Sequence, residues 1–150
     1  MIDLDDNRLA VAKRFGATQT INSSDGKAVE AVMKLTGKIG VDTAIEAFGI
    51  AATFEMCQQI IAPGGTIANI GVHGKKADLH LETLWYCNIS ITTQLVDTAT
   101  ISMLFKTVAA KKIDPMQLVT HHFTLDDILA AYETFANAGT TKALKVIITA

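Results

Sequence analysis

The chain opens on Ile2-Asp3-Leu4, a short apolar run that ends on an acid, and Asp5-Asp6-Asn7 follow directly before a helical pattern. A carboxylate at the carboxyl end of a strand can accept hydrogen bonds from the two hydroxyls of an adenosine ribose. Its charge also repels a 2′-phosphate, so Asp3 in that role selects NAD over NADP. The same acids can instead cap the next helix and favour its positive end. On this stretch alone capping is the simpler reading. With three carboxylates available, however, capping and ribose binding do not compete for the same one.

Two further stretches place glycine where strands end: Ala47-Phe48-Gly49 and Ile70-Gly71-Val72. Ligands of open α/β sheets bind at the carboxyl ends of the strands. Glycine there lets a cofactor approach the backbone, and apolar neighbours can sandwich a flat ring. A turn explains either glycine singly. Their recurrence after two successive strands, together with Asp3, points to a ligand-binding edge.

Other chemistry is scarce. His73, His80, His121 and His122 show no metal-ligand spacing, and adjacent histidines in a strand face opposite ways. Packing or surface roles account for them. Cys57 and Cys87 form no C-x-x-C pair and read as reduced, packed thiols. No nucleophile elbow and no complete catalytic constellation is present.

Positioning an edge of this kind requires strands that alternate with helices. Leu9, Ala12 and Phe15 recur at helical spacing and stop at Gly16, and Gln19-Thr20-Ile21 predicts a second strand. Ser23, Ser24 and Asp25 offer caps for a helix with Val29, Val32 and Met33 inside. Val41 to Ala47 reads as a strand. A helix bearing Phe54, Cys57, Ile60 and Ile61 follows, stopped by Pro63-Gly64-Gly65. Strands are then expected over Thr66 to Val72 and Ile89 to Val96. This order predicts an α/β fold with a mainly parallel sheet.

Beyond Asp97 the texture changes. Ile101, Leu104, Phe105 and Val108 make a helix face, and Asp114-Pro115 marks a turn. Thr124 and Asp127 hold an acidic variant of the capping-box spacing ahead of Ile128, Leu129, Tyr132 and Phe135. Ala143 to Thr149 predicts one lone terminal strand. Residues 98–150 therefore read as serving a different unit from residues 1–97.

A length of 150 residues allows one ordinary domain, and 49% hydrophobic against 19% charged residues argues for a packed core over disorder. A net charge of -2 predicts no general attraction to nucleic acid or anionic membrane. The acidic start lacks the layout of a signal peptide, and no apolar run is long enough to span a bilayer. A cytoplasmic location is expected.

The ordered set IDLDDNRLAVAKRFGA, GVDTAIEAFG, APGGTIANIGV, ITTQLVD and LVTHHFTLDDILAAYETF…ALKVIIT resembles the zinc-type alcohol dehydrogenases of the medium-chain dehydrogenase/reductase superfamily. The resemblance runs the whole length of the chain. It implies an incomplete Rossmann-like, doubly wound parallel sheet followed by a C-terminal helical segment and strand. It further implies that Asp3 grips the adenosine ribose with Arg8 at its hydroxyl edge, and that Leu4 and Phe48 flank the adenine. Backbone groups of Ile70, Gly71, Val72, Gln94 and Val96 would line the nicotinamide end, and Lys145 would reach a cofactor phosphate. Gln94 departs from the smaller residue of the family.

By the same resemblance the chain corresponds to the C-terminal part of such an enzyme. The zinc ligands and the glycine loop, which should lie about 20 residues before the ribose acid, would precede Asp3. The intact enzyme would pass hydride between a small alcohol or carbonyl substrate and NAD, with zinc polarising the oxygen. Without the loop, weak NAD binding or none, and no catalysis, is expected of this chain alone. Loss of the central first strand would leave the opening strand and Val41–Ala47 without a shared neighbour. A homo-oligomer is expected through the edge at Ile89–Val96. A second reading is a non-catalytic dimerisation or binding module. A third is a methyltransferase-like domain, suggested by APGGTIANIG, which leaves LVTHHFTLDDILAAYETF unexplained.

Overall fold

The computed structural model describes residues 1–95 and 99–150. The predicted strand end at Val96 and the expected boundary between residues 1–97 and 98–150 lie outside the described residues. In chain order the elements are β1 (Ile2–Asp3), α1 (Asp6–Arg14), β2 (Ile21–Asn22), α2 (Ala28–Leu35), β3 (Val41–Glu46), α3 (Ala51–Ile60) and β4 (Ile61–Asn69). They continue with α4 (Leu81–Leu84), β5 (Ser90–Thr93), α5 (Ile101–Ala109), β6 (Val119–Thr124), α6 (Ile128–Ala136), α7 (Ala138–Thr141) and β7 (Lys145–Thr149). The fold is mixed α/β with parallel sheets. Two compact units divide it: Ile2 with Ile21–Val96, and Met1, Asp3–Thr20 and Asp97–Ala150.

The first of these units is built on the parallel sheet β3-β4-β5, with β4 in the middle. Short β1 and β2 form a separate two-stranded sheet, so the opening strand and β3 fall in different sheets. The core of the unit is Val32 from α2, Ala44 from β3, Cys57 and Ile60 from α3, and Ile67 from β4. Ile67 is fully buried, and its register partners Ala44 and Ile91 flank it on the two neighbouring strands. Residues from three kinds of local pattern meet here because helices α2 and α3 must cover the apolar face of the sheet.

The Pro63-Gly64-Gly65 run does not end a helix, as the composition predicted. Helix α3 stops at Ile60 and β4 begins at once. Between the pairs Val41↔Ile61 and Thr43↔Thr66 the register shifts, so β4 carries extra residues in a bulge. Gly64 sits in that bulge at φ 79°, a conformation that favours glycine, and its amide donates to the carbonyl of Cys87 at 2.7 Å. A proline inside a strand is accommodated at such an irregularity. The strand also ends earlier than expected, at Asn69, which frees Ile70–Val72 to form a loop.

The other unit contains α1, α5, α6, α7 and the parallel pair β6-β7. Strand β7 is therefore not lone: Phe123 pairs with Ile148 and Thr124 with Thr149. Helix α6 lies against this pair, but its inward face is Ile128, Ala131 and Thr134 rather than the larger apolar residues. Leu129, Tyr132 and Phe135 are exposed. The predicted capping box does not form as such, because the Thr124 hydroxyl donates to the Asp127 carboxylate at 3.0 Å. Helix α5 buries none of its residues and presents Ile101, Leu104 and Phe105 outward. Among the described residues no helix is long and apolar enough to cross a membrane.

Candidate functional site

At the start of α1 the three acids divide their work. Asp5 is the N-cap, its side chain accepting the Arg8 amide at 2.9 Å, and Asp6 opens the first turn. Asp3 accepts the Asp5 amide at 3.0 Å through Oδ1, and the Arg8 guanidinium lies 3.8 Å from the same oxygen. Capping thus falls on Asp5, and the Asp3–Arg8 pair is set beside it. Leu4, between them in sequence, is exposed.

In the β3-β4-β5 unit, the register places Glu46 beside Asn69 and Asn69 beside Thr93. This row is the carboxyl edge of the sheet, because all three strands run the same way. Each strand leaves it in a loop. Asn69, Ile70, Gly71, Val72, Thr93, Gln94 and Leu95 line an open cleft of about 260 Å³ there. The sequence-predicted residues Ile70, Gly71, Val72 and Gln94 are thereby brought together, while Val96 lies outside the described residues. Phe48 leaves the neighbouring strand and exposes 67% of its surface; Val72 exposes 79%.

The two glycines serve a different close approach from the one their sequence positions suggested. Gly49 has φ 91°, and a Cβ there would meet the backbone of Val72. A Cβ on Gly71 would meet the amide of Gly49 and the carboxylate of Glu46. The β3 and β4 loops therefore pack backbone to backbone, and glycine is what lets them. The amides of Ile70 and Gly71 both donate to the Glu46 carbonyl, at 2.8 and 3.1 Å.

Beneath this contact lies a polar cluster that pattern reading passed over. Glu46 is 1% exposed. Its Oε1 accepts from the Phe48 amide at 2.9 Å, the Gly49 amide at 2.8 Å and the Thr53 hydroxyl at 2.7 Å. Its Oε2 lies 3.3 Å from Nε2 of His73. That nitrogen is also 2.9 Å from Oδ1 of Asn69, whose Nδ2 donates to the Gly71 carbonyl at 3.1 Å. Burial pushes the Glu46 carboxyl up, but the Thr53 hydroxyl, the Gly49 and Phe48 amides and the His73 charge outweigh it and hold it below the ordinary carboxylate value. The Cys57 thiol is pushed up to about 11, by burial first and then by the Glu46 charge. An acid two residues after Ala44, on the same inward-facing side of the strand VDTAIEA, was the available signal for this cluster.

Lys145 lies on β7, exposed, in the unit that also holds Asp3 and Arg8. Together with Ala131, Tyr132, Phe135, Leu144, Val146 and Ile148 it lines an apolar groove of about 330 Å³.

A family model described as zinc-binding dehydrogenase matches residues 1–114. The chain belongs to that family. An alcohol dehydrogenase of Cupriavidus necator is 39% identical over 140 residues, covering 91% of this chain and 38% of the relative. An NADP-dependent isopropanol dehydrogenase of Thermoanaerobacter brockii is 38% identical over 128 residues, covering 81% of this chain and 36% of the relative. Among solved structures, the zinc-dependent alcohol dehydrogenase 2 from Streptococcus pneumonia, in its apo form, superposes with a TM-score of 0.94 at 51% identity, covering 99% of this chain and 44% of that one. This zinc-type dehydrogenase chain thus spans about two fifths of the length of the relatives it matches.

The family name implies zinc. Among the described residues no group of three or more His, Cys, Asp or Glu side chains is placed to hold a metal ion. Burial first and the Glu46 charge second keep the Cys57 thiol protonated, the opposite of what a zinc thiolate requires. The described residues of this dehydrogenase chain do not fit a catalytic zinc.

Proposed function

We propose that this chain is the cofactor-binding part of an NAD-dependent zinc-type alcohol dehydrogenase. The observation that carries the reading is the gathering of Ile70, Gly71, Val72 and Gln94 around one cleft at the carboxyl edge of a parallel sheet. A nicotinamide cofactor supplies the hydride acceptor or donor for alcohol–carbonyl interconversion when bound. The chain's own residues bind and orient it: backbone groups of Ile70, Gly71, Val72, Gln94 and Val96 at the ring, Leu4 and Phe48 at the adenine, Asp3 and Arg8 at the ribose, and Lys145 at a phosphate. The Asp3 charge favours NAD, whereas the matched isopropanol dehydrogenase of Thermoanaerobacter brockii is NADP-dependent by name. Residues 1–97 then serve the cofactor and 98–150 a catalytic neighbour, in the cytoplasm.

Amide shifts of the isotopically labelled chain on addition of NADH and NADPH test this. Shifts at Gly71 and Val72 that are larger for NADH are expected. Equal response to NADPH, or shifts confined elsewhere, overturns the reading. The chain alone is expected to be inactive, so steady turnover with added zinc, NAD and a secondary alcohol also counts against it.

A second reading, an assembly module that forms a homo-oligomer, is favoured by the sheet edges. Among the described strands only β4 of its sheet is paired on both sides, which leaves β3 and β5 as edges. Sedimentation equilibrium decides it: a monomer at all concentrations removes this reading.

A further inference from the structure

Among the described residues, Glu46 and Ile67 are the largest fully buried side chains. Burying a carboxylate costs stability unless hydrogen bonds replace its water, and this one is replaced largely at a single oxygen. Oε1 takes three donors, two of them backbone amides of the β3 loop and the third the Thr53 hydroxyl in the first turn of α3. Oε2 faces the other way, toward Nε2 of His73 in the segment after β4. Because the Asn69 amide nitrogen donates to the Gly71 carbonyl, Asn69 Oδ1 is an acceptor, and His73 Nε2 therefore carries a hydrogen. That hydrogen is taken by Asn69 Oδ1 at 2.9 Å, and Glu46 Oε2, which has no hydrogen-bond partner among the described residues, lies 3.3 Å from the same nitrogen as an ion-pair contact. The Phe54 ring, edge-on to His73 with centroids 6.0 Å apart, packs against the same imidazole.

One side chain thus holds both loops that leave the carboxyl edge of β3 and β4. Gly49 and Gly71 close directly over it, and neither tolerates a Cβ. We propose that Glu46 is a positioning residue: it pins the β3 loop through Phe48 and Gly49 and the β4 loop through His73, and so sets the separation of Phe48 and Val72. The consequence for a cofactor rests on the reading given above; the pin itself rests on the distances alone. It explains why an acid occupies a buried position at the end of β3. Negative charge suits the site because Oε1 takes three donors and Oε2 faces the His73 nitrogen at 3.3 Å. An amide supplies one acceptor and would turn its NH2 toward the His73 N–H.

Amide hydrogen exchange on the labelled full-length chain tests the pin without cofactor. Glu46→Leu removes all acceptors and should speed exchange at Phe48 and Gly49 by about tenfold or more, with Ala44, Ile67 and Ala68 at the sheet centre unchanged. Glu46→Gln should restore Phe48 and Gly49 to within about threefold of wild type, yet leave Gly71 to His73 exchanging about tenfold faster. Should the leucine variant fail to fold, Thr53→Val removes one donor to Oε1 and should show the Phe48 and Gly49 effect at smaller amplitude. Unchanged exchange at these amides, or acceleration spread evenly over the sheet, overturns the proposal. NADH added to the wild-type chain reads the cofactor assignment separately. A response confined to residues away from Gly71 and Val72 removes that assignment, and the exchange pattern still decides on Glu46.

Discussion

Oε2 of Glu46 stands 3.3 Å from Nε2 of His73, and the two residues sit 27 positions apart on either side of a helix and a strand. The pair links the end of β3 to the segment beyond β4. Its neighbours are Asn69, Thr53 and the amides of Phe48 and Gly49, with Cys57 close enough to feel the charge.

Acid should loosen this cluster. The Glu46 carboxyl is held below its ordinary value of 4.5 in the folded chain, so the folded state binds its proton less tightly than the unfolded state. The resulting stability is present above 4.5 and is lost as pH falls through the folded value. Urea midpoints of wild type and Glu46→Gln should differ most at neutral pH and converge in acid. A gap that widens as pH falls contradicts the assignment.

The two thiols should react unequally. Cys57 is buried and protonated at neutral pH, its thiol pushed up to about 11, whereas Cys87 is half-buried with only a 3.7 Å contact to the Thr83 carbonyl. The thiolate is the reactive form. A chromogenic disulfide reagent at neutral pH should label Cys87 first and Cys57 only on unfolding. Simultaneous labelling in the native chain would show that the α3 helix does not shield Cys57.

Glycine substitutions should separate loop packing from helix propensity. Gly49→Ala combines a positive φ with a clash against the Val72 backbone and should cost about 3 kcal/mol. Gly139, in α7 with nothing within 4 Å of an added Cβ, should accept alanine with a gain of about 0.5 kcal/mol. Denaturant unfolding of the two variants measures both.

The acids at the start of α1 should also come apart by mutation. Asp5→Ala removes the N-cap bond to the Arg8 amide and should cost about 1 kcal/mol of stability without altering the response to NADH. Asp3→Ala should do the reverse, weakening the NADH response and narrowing the preference over NADPH. Loss of cofactor response in the Asp5 variant at unchanged stability would transfer the ribose role to Asp5.

Much of the fold was legible because local chemistry specifies it. The acidic cap of α1, its stop at Gly16 and a strand from Val41, expected to Ala47 and observed to Glu46, were read from cap residues, glycine and the run of strand-forming residues. Pro63-Gly64-Gly65 was misread because the same residues that stop a helix also form a bulge, and only pairing with β3 distinguishes the two. On α6 the buried residue is the small Ala131, while the larger Leu129, Tyr132 and Phe135 stay exposed. Strand β7 looked lone because its partner Val119–Thr124 carries two histidines and two threonines, a composition that periodicity alone does not mark as buried or paired.

Neighbours along the chain were enough to read most of the alternating strands and helices, the family resemblance and the chemistry offered at the strand ends. Tertiary structure decided which loops meet. Gly49 and Gly71 were legible as glycines at strand ends, but that they pack on each other follows from the parallel register Glu46↔Asn69. The same register turns Glu46 from a residue at the end of a strand into a buried carboxylate held by two loops. Charge burial of this kind is set by long-range pairing, and no local pattern encodes it.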